Sequence, residues 1–240
     1  MKPLYNLRLL SIAFAVFFFA ISTSNVHASG AQRPTITDSE SLESEGQANI
    51  NIPVVIPPQG GTAQPQEKYS HIDPDKMVTS ALLSKALNFY DANQRIIKNK
   101  RYIVVIDFKL HNSKKRFSII DMESGEVEQH AVAHGKNSDT NFDGYATTFS
   151  NTNESLMSSV GYYLTAETYY GSHDYSLRLD GLSSTNSNAR SRAIVIHGAD
   201  YVNDGAPLNG RSFGCPALDE SISTQVIDMI KGGALIYADY

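Results

Sequence analysis

Cys215 is the only cysteine in the 240-residue chain, and it stands within Gly210-Arg211-Ser212-Phe213-Gly214-Cys215-Pro216-Ala217-Leu218. His197 ends an apolar run 18 residues upstream. A lone cysteine cannot close an internal disulfide, so its thiol is inert filler, an intermolecular partner or a nucleophile. Gly214 before it and Pro216 after it fix a tight backbone around the sulfur, which bland packing does not require. The nucleophile is the best of the three readings. An imidazole nearby can lower a thiol pKa from about 8.5 into the range of about 3.5–7.5, and His197 is the candidate base. Gly198 behind it lets a substrate or partner chain approach closely. Gly214 and Cys215 offer consecutive backbone N–H groups as an oxyanion hole for acyl transfer, with Ser212 as a further donor; one such donor contributes roughly 3 kcal/mol to lowering a barrier.

The elements that must position this pair are mostly strands. Tyr102–Ile106, Phe117–Ile120 and Val127–His134 are short β-rich runs separated by turn residues, and Val160–Tyr169 and Tyr175–Leu182 read as a hairpin across Gly171-Ser172. Ala193–Ile196 is a buried strand that delivers His197 at its end. Arg178 alternates with Leu177 and Leu179, which puts it on an outward face able to line a cleft. Two helices flank the strands. Asp73-Pro74 reads as a cap and first turn, with Val78, Leu82, Ala86 and Phe89 at helical spacing to about residue 93. Asp219 caps a second helix with apolar face Ile222, Val226, Met229 and Ile230, stopped by Gly232-Gly233 before a final strand at 234–237. The expected fold is mainly β with flanking helices (α+β), a sandwich or barrel over residues 69–240.

The N-terminus places that domain in a compartment. Lys2 and Arg8 precede the 13-residue apolar run Leu9–Ile21, and Val26-His27-Ala28 offers small residues for cleavage before Ser29. This pattern is that of a secretory signal peptide over residues 1–28, too short to cross a bilayer comfortably. The expected protein is exported, to a periplasm or cell envelope, without stable membrane insertion after cleavage. Residues 29–68, rich in Ser, Glu, Gln, Gly, Thr and Pro, read as a disordered low-complexity linker. Net charge is −5 for the whole chain, and the signal segment holds two cations and no acid, so the remainder is more acidic still. With no basic stripe and no tryptophan, nucleic acid is not an expected partner. His71, His111, His130 and His173 lack metal-ligand spacing, so no metal site is expected.

The order of the pair narrows the chemistry. Papain-like hydrolases run cysteine then histidine, and sortases need an arginine after the cysteine; neither pattern fits. The string Ile194-Val195-Ile196-His197-Gly198-Ala199-Asp200-Tyr201, followed by that around Cys215, resembles the murein L,D-transpeptidase catalytic domain family. The likeness extends to Ala133–Ser138, Gly161–Tyr169 and Tyr175–Leu182, over most of residues 100–240. It implies a β-rich fold whose cysteine attacks a peptidoglycan stem peptide between the L-centre of the diamino acid and the terminal D-alanine. A thioester then passes to an amine acceptor or to water. Carried onto this chain, Cys215 is the nucleophile and His197 the base, with the Gly198 carbonyl orienting the imidazole. No metal or organic cofactor is implied.

The family pattern has histidine two residues before the cysteine, where this chain has Phe213. His197 must therefore carry the base role alone. Arg211 suits a substrate carboxylate, and Ser212, His134 and Arg178 are further candidates for substrate contact, His134 equally for support of the site. Tyr163, Tyr169 and Tyr170 read as packing or cleft walls. An L,D-carboxypeptidase, resolving the same acyl-enzyme with water, and a catalytically inert wall-binding protein are the alternatives.

Overall fold

Strands buried on both faces form the centre of the sheet in the computed structural model, which describes residues 53–56 and 67–240. The expected signal segment lies outside the described residues, as does the expected linker apart from 53–56, 67 and 68. Eight strands form one sheet in the order β3-β2-β1-β8-β4-β5-β6-β7. They are β1 (Tyr102–Asp107), β2 (Phe117–Asp121), β3 (Val127–His130), β4 (Gly161–Gly171), β5 (Asp174–Gly181), β6 (Val195–Ala199), β7 (Ala217–Asp219) and β8 (Leu235–Asp239). In β1, Ile103 and Val105 face one apolar cluster while Val104 and Ile106 face another; β8 repeats this with Leu235 and Tyr237 against Ile236 and Ala238. Both faces are covered, which is why β1 reads as an unbroken apolar run.

Two helices supply the covers. α1 (Ser80–Ala92) packs Leu83, Ala86, Leu87 and Phe89 onto the first cluster, where the Phe89 ring stacks on Tyr162 at 4.0 Å. α2 (Glu220–Ile230) packs Val226, Ile227 and Ile230 onto the second. Asp219 caps α2, accepting from the Ser221 N–H at 2.9 Å. The start of α1 differs from the sequence reading. Asp73 has φ +54 and its carboxylate accepts from the Met77 and Val78 N–H groups, so it builds a turn, not a helix. Thr79 holds the cap position instead, but its hydroxyl bonds Asp107 at 2.6 Å. Within the expected linker stretch, Val54 packs on the α1 cluster, and the Asn93 side chain bonds both backbone groups of Val55. Among the described residues no helix is long and apolar enough to cross a membrane.

The sheet closes on itself. Past β3 the chain runs on as Ala131–Gly135 beside the opposite edge. There Ala133 N–H bonds the Ala217 carbonyl at 2.9 Å, Ser212 N–H the His134 carbonyl at 2.9 Å, and Lys136 N–H the Ser212 carbonyl at 2.8 Å. Of the two layouts expected, the barrel-like one is present, and closure leaves few strand edges exposed. The expected strand 127–134 is regular only to His130, because beyond it the backbone leaves β2 for β7. Likewise β6 begins two residues later than the expected 193–196 and continues through His197 to Ala199. Ala193 is left-handed at φ +51, and pairing with β7 holds residues 197–199.

A buried polar chain lies beneath the closure. Arg116, 1 % exposed, donates to the Val132 and Leu110 carbonyls and to His134 Nδ1 at 2.7 Å. Arginine can only donate, so Nδ1 is the acceptor, and Nε2–H is the donor to Asp139 Oδ2 at 3.2 Å. Burial above all, then the Arg116 charge, holds His134 well below its ordinary value, against the pull of Asp139.

Two stability outcomes follow. Phe89→Ala should cost about 3–5 kcal/mol and lower Tm by about 10 °C, read by thermal denaturation. A base depressed on folding stabilises the neutral-pH protein and withdraws that stability as pH falls below about 6.5. The urea midpoint should therefore drop between pH 7.5 and 5.0, and His134→Gln should show a shallower drop.

Candidate active site

Register brings the two halves of the site together. β6 lies between β5, antiparallel with Ser176 opposite His197, and β7, parallel with Ala217 opposite His197. Cys215 sits two residues before Ala217, at the mouth of β7. The site is thus one strand plus the loop that leads into its neighbour.

His197 is 2 % exposed, and its Nδ1 lies 2.7 Å from the Gly198 carbonyl oxygen. A carbonyl only accepts, so Nδ1 carries the proton and the neutral ring keeps its lone pair on Nε2. Burial pushes the His197 pKa down, opposed by the Gly198 hydrogen bond and aided by His173. At neutral pH this imidazole is an uncharged base. Gly198 is glycine for a packing reason: a Cβ there would lie 2.6 Å from Ser223 Oγ on α2. The segment that approaches it closely is α2.

The loop around Cys215 is held by its own residues. Ser212 Oγ donates to the Cys215 carbonyl at 2.7 Å and accepts from the Gly214 N–H at 3.0 Å. The Ser212 hydroxyl and the Gly214 N–H are therefore engaged inside the loop in this structure. Gly214 has φ +127, and a Cβ would stand 2.8 Å from the Met157 carbonyl oxygen. Both facts demand glycine. Asn112 and Asn209, both buried, exchange side-chain-to-backbone bonds at 2.8 Å and pin the approach to the loop.

Cys215 is half-buried as a residue. Its sulfur points at the Ala193 carbonyl, 3.6 Å away. Among the described residues no hydrogen bond joins the sulfur to His197. Burial pushes the thiol pKa up, while the Val195 N–H and the Arg192 charge oppose that. The resting pair is therefore thiol and neutral imidazole.

The remaining candidates are placed as follows. Arg211 donates to the Lys136 and Asp139 carbonyls and lies 4.2 Å over the Phe142 ring, so its fork is tied to the neighbouring loop. Arg178 pairs with Glu167 at 3.1 Å and covers Tyr169. His134 lies in the buried chain beneath the closure, where it supports the Cys215 loop through its backbone. Tyr163 is buried, its hydroxyl bonding the Ser159 carbonyl at 2.7 Å. Phe213 is 68 % exposed beside the sulfur, with Lys136 Nζ 4.8 Å over its ring.

Two residues escaped the sequence reading. His173, at the β4–β5 turn, stacks on His197 with ring centres 4.2 Å apart and planes 19° from parallel. Arg192 packs behind Gly214, 3.4 Å from where a Cβ would be. A signal existed for Arg192 alone: two arginines, 190 and 192, stand just before the buried strand. Among the described residues no group of three or more potential metal ligands gathers.

The family described as "L,D-transpeptidase catalytic domain" matches residues 74–239. No curated protein is similar to this chain. Solved structures similar in part include an L,D-transpeptidase from Mycobacterium smegmatis, at 12% identity and TM-score 0.37, covering 58% of this chain and 59% of that one. L,D-transpeptidase 1 of Mycobacterium tuberculosis gives 14% identity and TM-score 0.35, covering 58% and 62%. The helical cell shape determining protein Pgp2 of Campylobacter jejuni gives 16% and 0.36, covering 57% and 47%. The chain spans less than two thirds of the length of each. With residues 74–239 matched, well over half its length, the chain belongs to the L,D-transpeptidase catalytic domain family.

Proposed function

We propose that this protein is an exported peptidoglycan L,D-transpeptidase in which Cys215 carries the acyl group. The observation that supports this most is the 2.7 Å contact of His197 Nδ1 with the Gly198 carbonyl. It leaves a neutral Nε2 lone pair on the strand next to the loop that carries the chain's only thiol. For the reaction the Cys215 thiol must turn from the Ala193 carbonyl toward that lone pair.

Nε2 then takes the thiol proton as sulfur attacks the carbonyl carbon between the diamino acid's L-centre and the terminal D-alanine of a tetrapeptide stem. The S–C bond forms, and the tetrahedral oxyanion meets the Cys215 N–H, joined by the Gly214 N–H once Ser212 Oγ releases it. Collapse breaks the C–N bond, and the imidazolium gives its proton to the departing D-alanine amine. An amine of a second stem attacks the thioester, loses a proton to His197 and restores the thiol. Residues 1–28 direct export to the envelope, where such stems are found.

Intact-mass spectrometry with a tetrapeptide stem or a carbapenem should show a covalent adduct on the protein. Cys215→Ala should show none, and His197→Ala should acylate about 10²–10⁴-fold more slowly. Chromatography of the products should contain crosslinked dimers; free tripeptide alone would mean hydrolysis by an L,D-carboxypeptidase, and no adduct at all an inert binding protein. The acylation rate should rise with pH along a limb whose midpoint lies below 6.5, because the base must be neutral and His197 is depressed. Gly214→Ala, forced to φ +127 against the Met157 carbonyl, should lose at least about tenfold in acylation, a strain of about 1–2 kcal/mol sufficing.

A further inference from the structure

Arg192 is a half-buried cation with no carboxylate beside it among the described residues. Its neighbour in sequence, Arg190, faces Asp180 and Glu167, and Arg178 faces Glu167. Arg192 instead donates to the Ser150 and Met157 carbonyls, each at 2.6 Å, and to Ser155 Oγ at 3.1 Å. These acceptors are neutral and leave its charge without a counter-ion. Holding an unpaired charge partly out of water costs stability.

The direction of the fork explains the cost. The methylene a side chain would add at Gly214 meets both the Met157 carbonyl that Arg192 grips and the terminal guanidinium nitrogen. Ala193, left-handed at φ +51, turns the chain directly after Arg192 and presents the carbonyl that the Cys215 sulfur faces. The turn therefore lays the cation behind the nucleophile's loop and ties residues 150–157 to it. The acids whose ionised forms favour the Arg192 charge are Tyr163 and Cys215. Tyr163 is buried and pushed up to about 12, so it is neutral under ordinary conditions. Cys215 is the one left to supply an anion.

We propose that Arg192 is the positioning residue of the nucleophile: its charge stabilises the Cys215 thiolate, and its fork fixes the 150–157 loop against the turn that carries the sulfur. This rests on reading Cys215 as the nucleophile. The same charge acts against burial, which drives the thiol toward its protonated form.

Because Cys215 is the only cysteine, alkylation with iodoacetamide reports on it alone. Its rate should be followed against pH by intact mass in the full-length protein, with Tm measured alongside. Arg192→Gln should move the alkylation midpoint up by about one pH unit, about tenfold less reactive at a fixed pH below it. Arg192→Lys, which keeps the charge and loses the fork, should hold the midpoint near the wild-type value while lowering Tm. A folded Arg192→Gln with an unmoved midpoint overturns the proposal. If Arg192→Gln does not fold, a full-unit rise in Arg192→Lys overturns it. Wild-type protein that alkylates with this profile yet takes no acyl group from a tetrapeptide would sink the enzymatic reading and leave the Arg192 result standing.

Discussion

The backbone bonds that join residues 133–136 to 212–217 are the constraint on which the site depends. They convert an open sheet into a closed one, and the Cys215 loop hangs from them. Each bond is ordinary, contributing of order 1 kcal/mol. What makes the set rigid is the fully buried chain of Arg116, His134 and Asp139 under it. A partly satisfied buried network would be worse than an apolar one. Here every ring and guanidinium nitrogen has a stated partner, so the loop has one position rather than several.

The electrostatics of the pair come from the same burial. Desolvation acts in opposite senses on an acid and a base, and it makes both neutral. The thiol is raised and the imidazole lowered, so the resting site holds no ion pair. In the proposed reaction charge separates only when a proton crosses to Nε2. His173, stacked over the ring, adds a flat wall that shields His197 from water on that side. The stack and the Gly198 carbonyl together leave the imidazole little freedom to rotate.

Much of this architecture was readable as sequence. Short apolar runs bounded by turn residues identified β1, β2, the β4–β5 hairpin and the strand of His197, and Asp219 announced α2. β7 was not readable, because three residues, Ala217–Asp219, carry no periodicity. The start of α1 was misplaced since the same carboxylate, Asp73, caps backbone N–H groups in a turn as readily as in a helix. Only the left-handed φ distinguishes the two cases. The candidate pair Cys215 and His197 was proposed from residue types and order, and the register of β6 and β7 sets their segments side by side. Arg192 and His173 were not, for their relation to the pair is made by a tight turn and a hairpin tip, which leave no spacing rule behind.

The place of β8 has a consequence for how the chain acquires its shape. Although late in chain order, it sits between β1 and β4, pairing Ile103 with Leu235 and Tyr163 with Ile236. No central ladder exists until residues some 130 positions apart have met. Local helices cannot substitute for that encounter, so the search for it sets the tempo of folding. The β1–β8 and β4–β8 ladders can therefore form only after nearly all of the described residues are in place. Until then the two parts of the sheet that β8 joins, β1–β3 and β4–β7, share no strand.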